Sequence, residues 1–503
     1  MKFISSFFVF LKSIAVSIKE AIFANQEIKK KVNAHPNFFG FLRNRFDKNK
    51  FSGLPLTLLG IAFIYALSLF FGVIEDIVTT DQIVMADKRV ENLLLVFRNA
   101  RLNKIFLWIT LLGNAKIVAS SAVVATIIFL LWKKKNYLLP LWVAIIGSGI
   151  FGFISKLAFH RQRPESAFYI EDSFSFPSGH ATIAVAFYGF ITYILFRNLK
   201  KFGNKISALF IGIIIILSIG FSRLYLGVHF LSDVWGGYLL GLLWLIIGIS
   251  ILEWLQYRKS APLFNPTRKN KIISIFLIIA ELIFYINFAS RWNPLLNARE
   301  ETSNEIITAD ILGEFNNKKL TRFTETIIGE NQEPLNFIII AANDSSLINI
   351  MESAGWHLAD NPTFYSVAKL AKAAFLNRNY LAAPMTPSFW NAKAHNFGFE
   401  KSTTAQNVRE RHHARFWRTQ LKTLDGANVY VGTASLDIGI KWFITQKIKP
   451  DIDTEREFLF SDLENTGLIS NFQKEKFVEP TFGKNFSGDQ FFTDGEIYLI
   501  IFK

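Results

Sequence analysis

Three short stretches of this 503-residue chain concentrate residue types that can do chemistry on a phosphate: residues 156–164, with Lys156 and Arg163; residues 177–180, Pro-Ser-Gly-His; and residues 222–233, with Arg223, His229 and Asp233. Phosphoryl transfer spreads charge over three equatorial oxygens, and fixed cations and backbone donors have to meet it. Arg163 and Arg223 each present a planar fork that holds two oxygens at once, whereas Lys156 supplies a point charge. Ser178 reads as the N-cap of a helix whose first amides, at Gly179 and His180, form an anion site, and glycine at 179 lets backbone approach the phosphate closely. His229 and Asp233 stand four apart, so on a helical turn the carboxylate reaches one ring nitrogen and leaves the other to attack phosphorus. His180 is then the candidate acid for the leaving oxygen and the candidate base for the hydrolytic water.

Taken singly, each stretch has a plainer explanation. Pro-Ser-Gly-His opens many ordinary helices, and a lone Lys or Arg at the end of a membrane span snorkels to lipid headgroups. The elements that carry the three stretches decide between these readings. Apolar residues make up 51% of the chain, and they gather before residue 290 in blocks too long and too uncharged for core helices. Seven spans are predicted, over residues 54–74, 109–132, 137–155, 181–196, 206–222, 234–252 and 272–288. Lys and Arg crowd residues 29–45, 133–135, 197–205 and 258–271, which places those loops in the cytoplasm. Residues 156–178, 223–233 and everything after 288 then fall on the external side. That assignment uses none of the candidate catalytic residues, yet it brings all three stretches to one face.

The net charge of +15 lies beside the apolar blocks instead of forming a stripe on a folded domain, which argues against a nucleic-acid partner. With no cysteine, the chain has no disulfide, thiolate metal site or thiol nucleophile. Residues 1–23 set Phe3, Phe7, Phe10, Leu11, Ile14, Ile18 and Ile22 at helical spacing, interrupted by Lys12, Lys19 and Glu20, and read as an interfacial amphipathic helix. Glu281, inside the seventh span, is either a functional group or a partner for another helix. After residue 291 the pattern becomes mixed α/β, with strands at 336–341, 428–433 and 496–502 and helices at 345–355 and 362–378.

Together the three stretches resemble the signature of the type 2 phosphatidic acid phosphatase superfamily: Lys, six residues, Arg-Pro; then Pro-Ser-Gly-His; then Ser-Arg, five residues, His, three residues, Asp. The resemblance covers about residues 54–256. It implies an all-α membrane bundle of six helices, no metal or other cofactor, and lipid phosphates as substrates, in the range of undecaprenyl diphosphate, phosphatidic acid, phosphatidylglycerol phosphate or lipid A. Residues 409–417, 432–437 and 450–457 resemble an LssY-type carboxy-terminal domain. There His412, His413, Asp451, Asp453 and Glu455 form either a metal or headgroup site or a structural network, although neighbouring histidines on a strand point opposite ways.

The expected plan is an interfacial segment at 1–50, a membrane phosphatase domain at 51–260, a seventh span at 261–290 and an external soluble α/β domain at 291–503. The expected activity is hydrolysis of a lipid phosphomonoester or diphosphate through a phosphohistidine, in the bilayer of a bacterial inner membrane with the site on the periplasmic side. The alternatives are a lipid phosphotransferase using the same histidine and a lipid-binding carrier without catalysis.

Overall fold

The computed structural model describes residues 24–258, 266–297, 305–316, 320–376, 378–441, 445–485 and 488–503, together with Phe10, Ser13, Ile14, Ser17, Glu20 and Ala21. The interfacial helix expected before residue 24 therefore lies mostly outside the described residues. Two short helices, α1 (Gln26–Ala34) and α2 (Pro36–Arg45), lead into α3 (Leu54–Thr79). The membrane part continues with α4 (Gln82–Val96), α5 (Ala100–Leu111), α6 (Ala115–Leu131), α7 (Leu138–Phe159), α8 (Gly179–Asn198), α9 (Phe202–Tyr225), α10 (Leu231–Arg258) and α11 (Arg268–Arg291). Among the described residues six helices are long and apolar enough to cross a membrane, or seven if α5 and α6, bent by 46° at their junction, count as one.

Two expectations change here. The second span does not begin at 109: the helix starts at Ala100, and Gly113 and the N-cap Asn114, whose side chain accepts from Lys116 N, break it. The polar run Arg101, Asn103 and Lys104 had masked the first half. The second change is α4, which the hydropathy pattern passes over because it mixes apolar residues with Asp87, Arg89 and Glu91; those three charges are buried.

The helix axes place the three stretches at one end of the bundle. α7 and α9 run towards it and α8 and α10 leave from it, while Lys133 to Lys135, Arg197, Arg258 and Arg268 stand at the other end. α10 packs against α3, α7 and α8. Its approach to α8 is close because a Cβ at Gly237 would come within 2.6 Å of the Ser178 carbonyl, the use of small residues expected where helices pack inside lipid. α11 returns to the same end, where Ile170 N donates to Leu295 O at 2.9 Å.

The chain then enters the soluble domain. Its elements are β1 (Ile306–Ile307), α12 (Ile311–Asn316), β2 (Phe323–Glu325), β3 (Asn331–Pro334), β4 (Phe337–Ala341), α13 (Asp344–Ser353), β5 (His357–Leu358), α14 (Phe364–Phe375), β6 (Phe389–Trp390), β7 (Lys393–Ala394), β8 (Phe397–Asn407), β9 (Glu410–Lys422), β10 (Asn428–Lys441), β11 (Thr445–Ile448), α15 (Ile452–Glu464), β12 (Ile469–Lys476), β13 (Thr481–Lys484), β14 (Gln490–Thr493) and β15 (Glu496–Phe502). The main sheet runs β12-β15-β4-β10-β9-β8-β5, with β1 beside β9 and β11 beside β10. β4 and β15 are parallel and the rest of that path is antiparallel. Every residue of β4 is buried, because α13 and α15 cover one face and α12 with Trp390 and Phe477 the other; a strand covered twice reads as an unbroken apolar run. α14 starts at Phe364 and not at 362, since Thr363 and Ser366 close a capping box.

Candidate functional site

The loop between α7 and α8 carries the first stretch over the end of the bundle, where the other two meet it. Arg163 donates through Nη1 to the Val228 carbonyl at 2.6 Å, and the same atom lies 3.2 Å from His229 Nε2. A guanidinium only donates, so Nε2 is the unprotonated nitrogen and Nδ1 carries the hydrogen. Nδ1 faces the Asp233 carboxylate at 3.5 Å. His229 itself precedes α10, which begins at Leu231, so the pair bridges a helix start and does not share a helical face as its spacing suggested. Burial, with Arg163 and Arg223 nearby, holds the His229 imidazole well below its ordinary pKa, which keeps the ring neutral and nucleophilic.

Asp233 is fixed from four directions. It accepts from Arg161 at 2.7 Å, from the Phe230 amide at 2.8 Å and from the Ser175 hydroxyl, while its carbonyl takes the Ser178 amide at 2.9 Å. Arg161 is an inner residue: its second nitrogen holds Asp87 of α4 at 2.7 Å, and Asp87 in turn accepts from Ser232. His160, by contrast, is exposed and only packs edge-on against Phe174, at 4.6 Å between ring centres.

The cations converge as their types required. Arg223 is fully buried and donates to Thr110 at 2.9 Å and to Tyr169. Arg163 and Arg223 both clasp Glu171, at 2.7 Å and in a still shorter contact. Burial alone would raise the Glu171 pKa, but the two guanidinium groups hold it well below the usual carboxylate range. One carboxylate thus sits between the two forks, where the sequence places phosphate oxygens. Lys156 donates to Ser173 at 3.0 Å and to the Phe174 carbonyl at 2.6 Å, so it ties down the loop beside this cradle. Ser178 opens α8 with extended backbone but makes no side-chain cap, and its buried hydroxyl has no hydrogen-bond partner among the described residues. A Cβ on Gly179 would meet nothing within 4 Å; the space beside the helix start is open for a ligand. His180 lies in the field of Arg223, Glu171, Arg163 and Lys156, and its ring packs on Gly113.

Glu171, Tyr169, Ser175 and Asp87 went unnoticed in the sequence. Only Glu171 left a signal, as an acidic residue inside a stretch otherwise suited to anions. Glu281 accepts from Ser120 and Ser121, each at 2.7 Å, which makes it a contact between α11 and α6.

In the soluble domain the five candidate ligands diverge. His412 stacks on Phe458 and meets Glu455 at 2.7 Å, on the side of α15. His413 points to the opposite side of the sheet, towards Asp437 at 2.9 Å. Asp451 caps α15, and Asp453 holds Arg456, Thr493 and the Asp494 amide. These are structural tasks, with no common centre.

A family model described as PAP2 superfamily matches residues 137–257, and one described as LssY C-terminus matches residues 317–497. Phosphatidylglycerophosphatase B of Bacillus subtilis (strain 168) is 33% identical over 202 residues, which span 35% of this chain and 89% of that protein. Among solved structures, a transmembrane PAP2 type phosphatidylglycerolphosphate phosphatase from Bacillus subtilis is 29% identical, covering 39% of this chain and 96% of that one with a TM-score of 0.35. Aquifex aeolicus LpxE is 27% identical, covering 32% and 92% respectively, with a TM-score of 0.24.

Proposed function

The chain belongs to the PAP2 superfamily of membrane lipid phosphatases, and from that premise we propose that it hydrolyses a lipid phosphomonoester or diphosphate through a phosphohistidine on His229. The observation that carries this reading is the cradle itself: two guanidinium groups share one carboxylate, and an unprotonated imidazole nitrogen stands 3.2 Å from one of them. A phosphate replacing that carboxylate is held by Arg163 and Arg223, with Lys156, Ser178 and the α8 start at Gly179 completing the site.

His229 Nε2 attacks phosphorus, the bond to the lipid oxygen breaks, and His180 gives that oxygen its proton. Asp233 steadies the imidazole as it gains positive charge. His180 then takes a proton from water, the water oxygen attacks the phosphohistidine, and phosphate leaves with His229 restored.

The basic ends of the spans favour a cytoplasmic position for Lys133 to Lys135 and Arg258 to Lys271. The site and the soluble domain then face the periplasmic side of a bacterial inner membrane. The relative's name makes phosphatidylglycerol phosphate the first substrate to try. Purified protein incubated with a panel of lipid phosphates and diphosphates should release phosphate from at least one, and His229→Ala should release none. A fully active His229→Ala protein would overturn the mechanism.

A further inference from the structure

A cavity of about 310 Å³ lies in the soluble domain between the main sheet and the β2–β3 hairpin, with Leu93 of α4 at its edge. Its floor is polar by register. His413 pairs with Ser435, Arg415 with Thr433 and Arg411 with Asp437 across β9 and β10, so alternate residues of both strands turn one row of charge towards the cavity.

Most of that charge is matched locally. Arg411 lies 2.5 Å from Glu400 and 3.4 Å from Asp437, and His413 lies 2.9 Å from Asp437. Arg415 is the exception. It lines the cavity, forms no ion pair with any carboxylate among the described residues, and donates only to the neutral nitrogen of His413, at 2.9 Å. Its Nε–H is buried with no hydrogen-bond partner among the described residues. Asp437 and Glu333 act on Arg415 only through their field and not by contact, so a buried donor is left without an acceptor, a cost that an anionic ligand reaching it would remove.

Glu333, which also lines the cavity, lies in the field of Arg415 but forms no ion pair with it among the described residues, and burial pushes its carboxyl upward in pKa. The remaining wall offers uncharged groups: the side chains of Gln332, Thr386 and Ser388 line the cavity and make no hydrogen bond among the described residues. The volume is at the lower end of the range for small-molecule sites, about 300 to 1,000 Å³. A bare inorganic ion would leave most of it empty.

We propose that this cavity binds a small hydroxyl-bearing organic monoanion, with its single negative charge on Arg415 and its hydroxyls on Gln332, Thr386 and Ser388. The anionic group is a carboxylate or a phosphodiester, and two sources offer that chemistry: a free sugar acid, or the headgroup of a glycerol-bearing anionic lipid. The site stands apart from the phosphate cradle and does not depend on the reading given to it.

The test is calorimetric titration of the full-length protein in detergent with glucuronate, glycerophosphoglycerol, glucose and inorganic phosphate. Glucuronate or glycerophosphoglycerol should bind with a dissociation constant below about 1 mM, at least tenfold tighter than glucose or phosphate, and which of the two binds identifies the source. Arg415→Gln should weaken that binding at least tenfold while lipid phosphatase activity persists. Should Arg415→Gln fail to fold, the double variant Thr386→Val with Ser388→Ala, at an exposed and a half-buried wall position respectively, should still weaken binding several-fold. Absence of binding by both monoanions, equal binding of glucose or phosphate, or unchanged binding by the folded variants would each overturn the proposal.

Discussion

Glu171 holds the two guanidinium groups together, and if they bind phosphate as proposed, it must leave before a phosphate arrives. Its negative charge therefore does two opposite things: it preorganises the cradle and it competes with the ligand. Glu171→Gln keeps the shape and most of the hydrogen bonds while removing the competing charge. Inorganic phosphate or vanadate should then inhibit about tenfold more strongly, a difference of about 1.4 kcal/mol, and unchanged inhibition would show that Glu171 is not in the phosphate position. A second residue-scale expectation concerns pH. Because burial, with Arg163 and Arg223, holds His229 well below 6.5, the neutral nucleophile persists as pH falls through that value. Corrected for substrate ionisation, kcat/KM should show no acid limb centred near 6.5; a limb there would mean that His229 titrates as a solvated imidazole does. The residues proposed for these steps stand out in the sequence because phosphoryl transfer demands Arg, His and Asp at fixed spacings. Glu171 and Arg161 were not, because a loop imposes no periodicity and their roles depend on where residues from other elements come to rest.

At the scale of elements, the least legible piece is the one that braces the site. α4 reads as an undistinguished polar helix, yet it buries Asp87, which clamps Arg161 at 2.7 Å and so steadies Asp233 behind His229. Hydropathy sees long apolar spans and therefore finds α7 to α11 with small errors at their ends. It cannot see a helix whose charges are buried by pairing across nearly 75 residues of sequence, as Arg161 pairs with Asp87. Asp87→Asn keeps the volume but gives Arg161 a weaker partner, so the Asp233 carboxylate and the imidazole lose their fixed geometry. Since no phosphate contact is touched, kcat should fall on the order of tenfold to a hundredfold with KM little changed. A rise in KM at constant kcat would place Asp87 in substrate binding instead.

Across the whole molecule, α4 is also where the soluble domain meets the membrane part. Arg89 of α4 and Glu325 of β2 form a bridge at 2.7 Å with side chains only 6% and 11% exposed, and Glu325 also accepts from the Ala392 amide at 3.0 Å. Asn92 adds a bond to the Ala392 carbonyl at 2.7 Å. The same helix thus reaches Asp233 through Asp87 and Arg161, and the outer domain through Arg89, two positions that stand about 3 Å apart along its axis. Breaking a buried pair from one side leaves a stranded charge, at a cost of about 3–5 kcal/mol, whereas replacing both partners by apolar groups is often nearly neutral. Arg89→Met should therefore loosen the junction, seen as faster amide exchange in both α4 and β2. Arg89→Met combined with Glu325→Leu should recover most of the lost protection, because neither partner is then left charged and dry. If the double variant exchanged as fast as the two single variants added together, the bridge would be no more than two independent surface contacts, and α4 would join the two parts through shape alone.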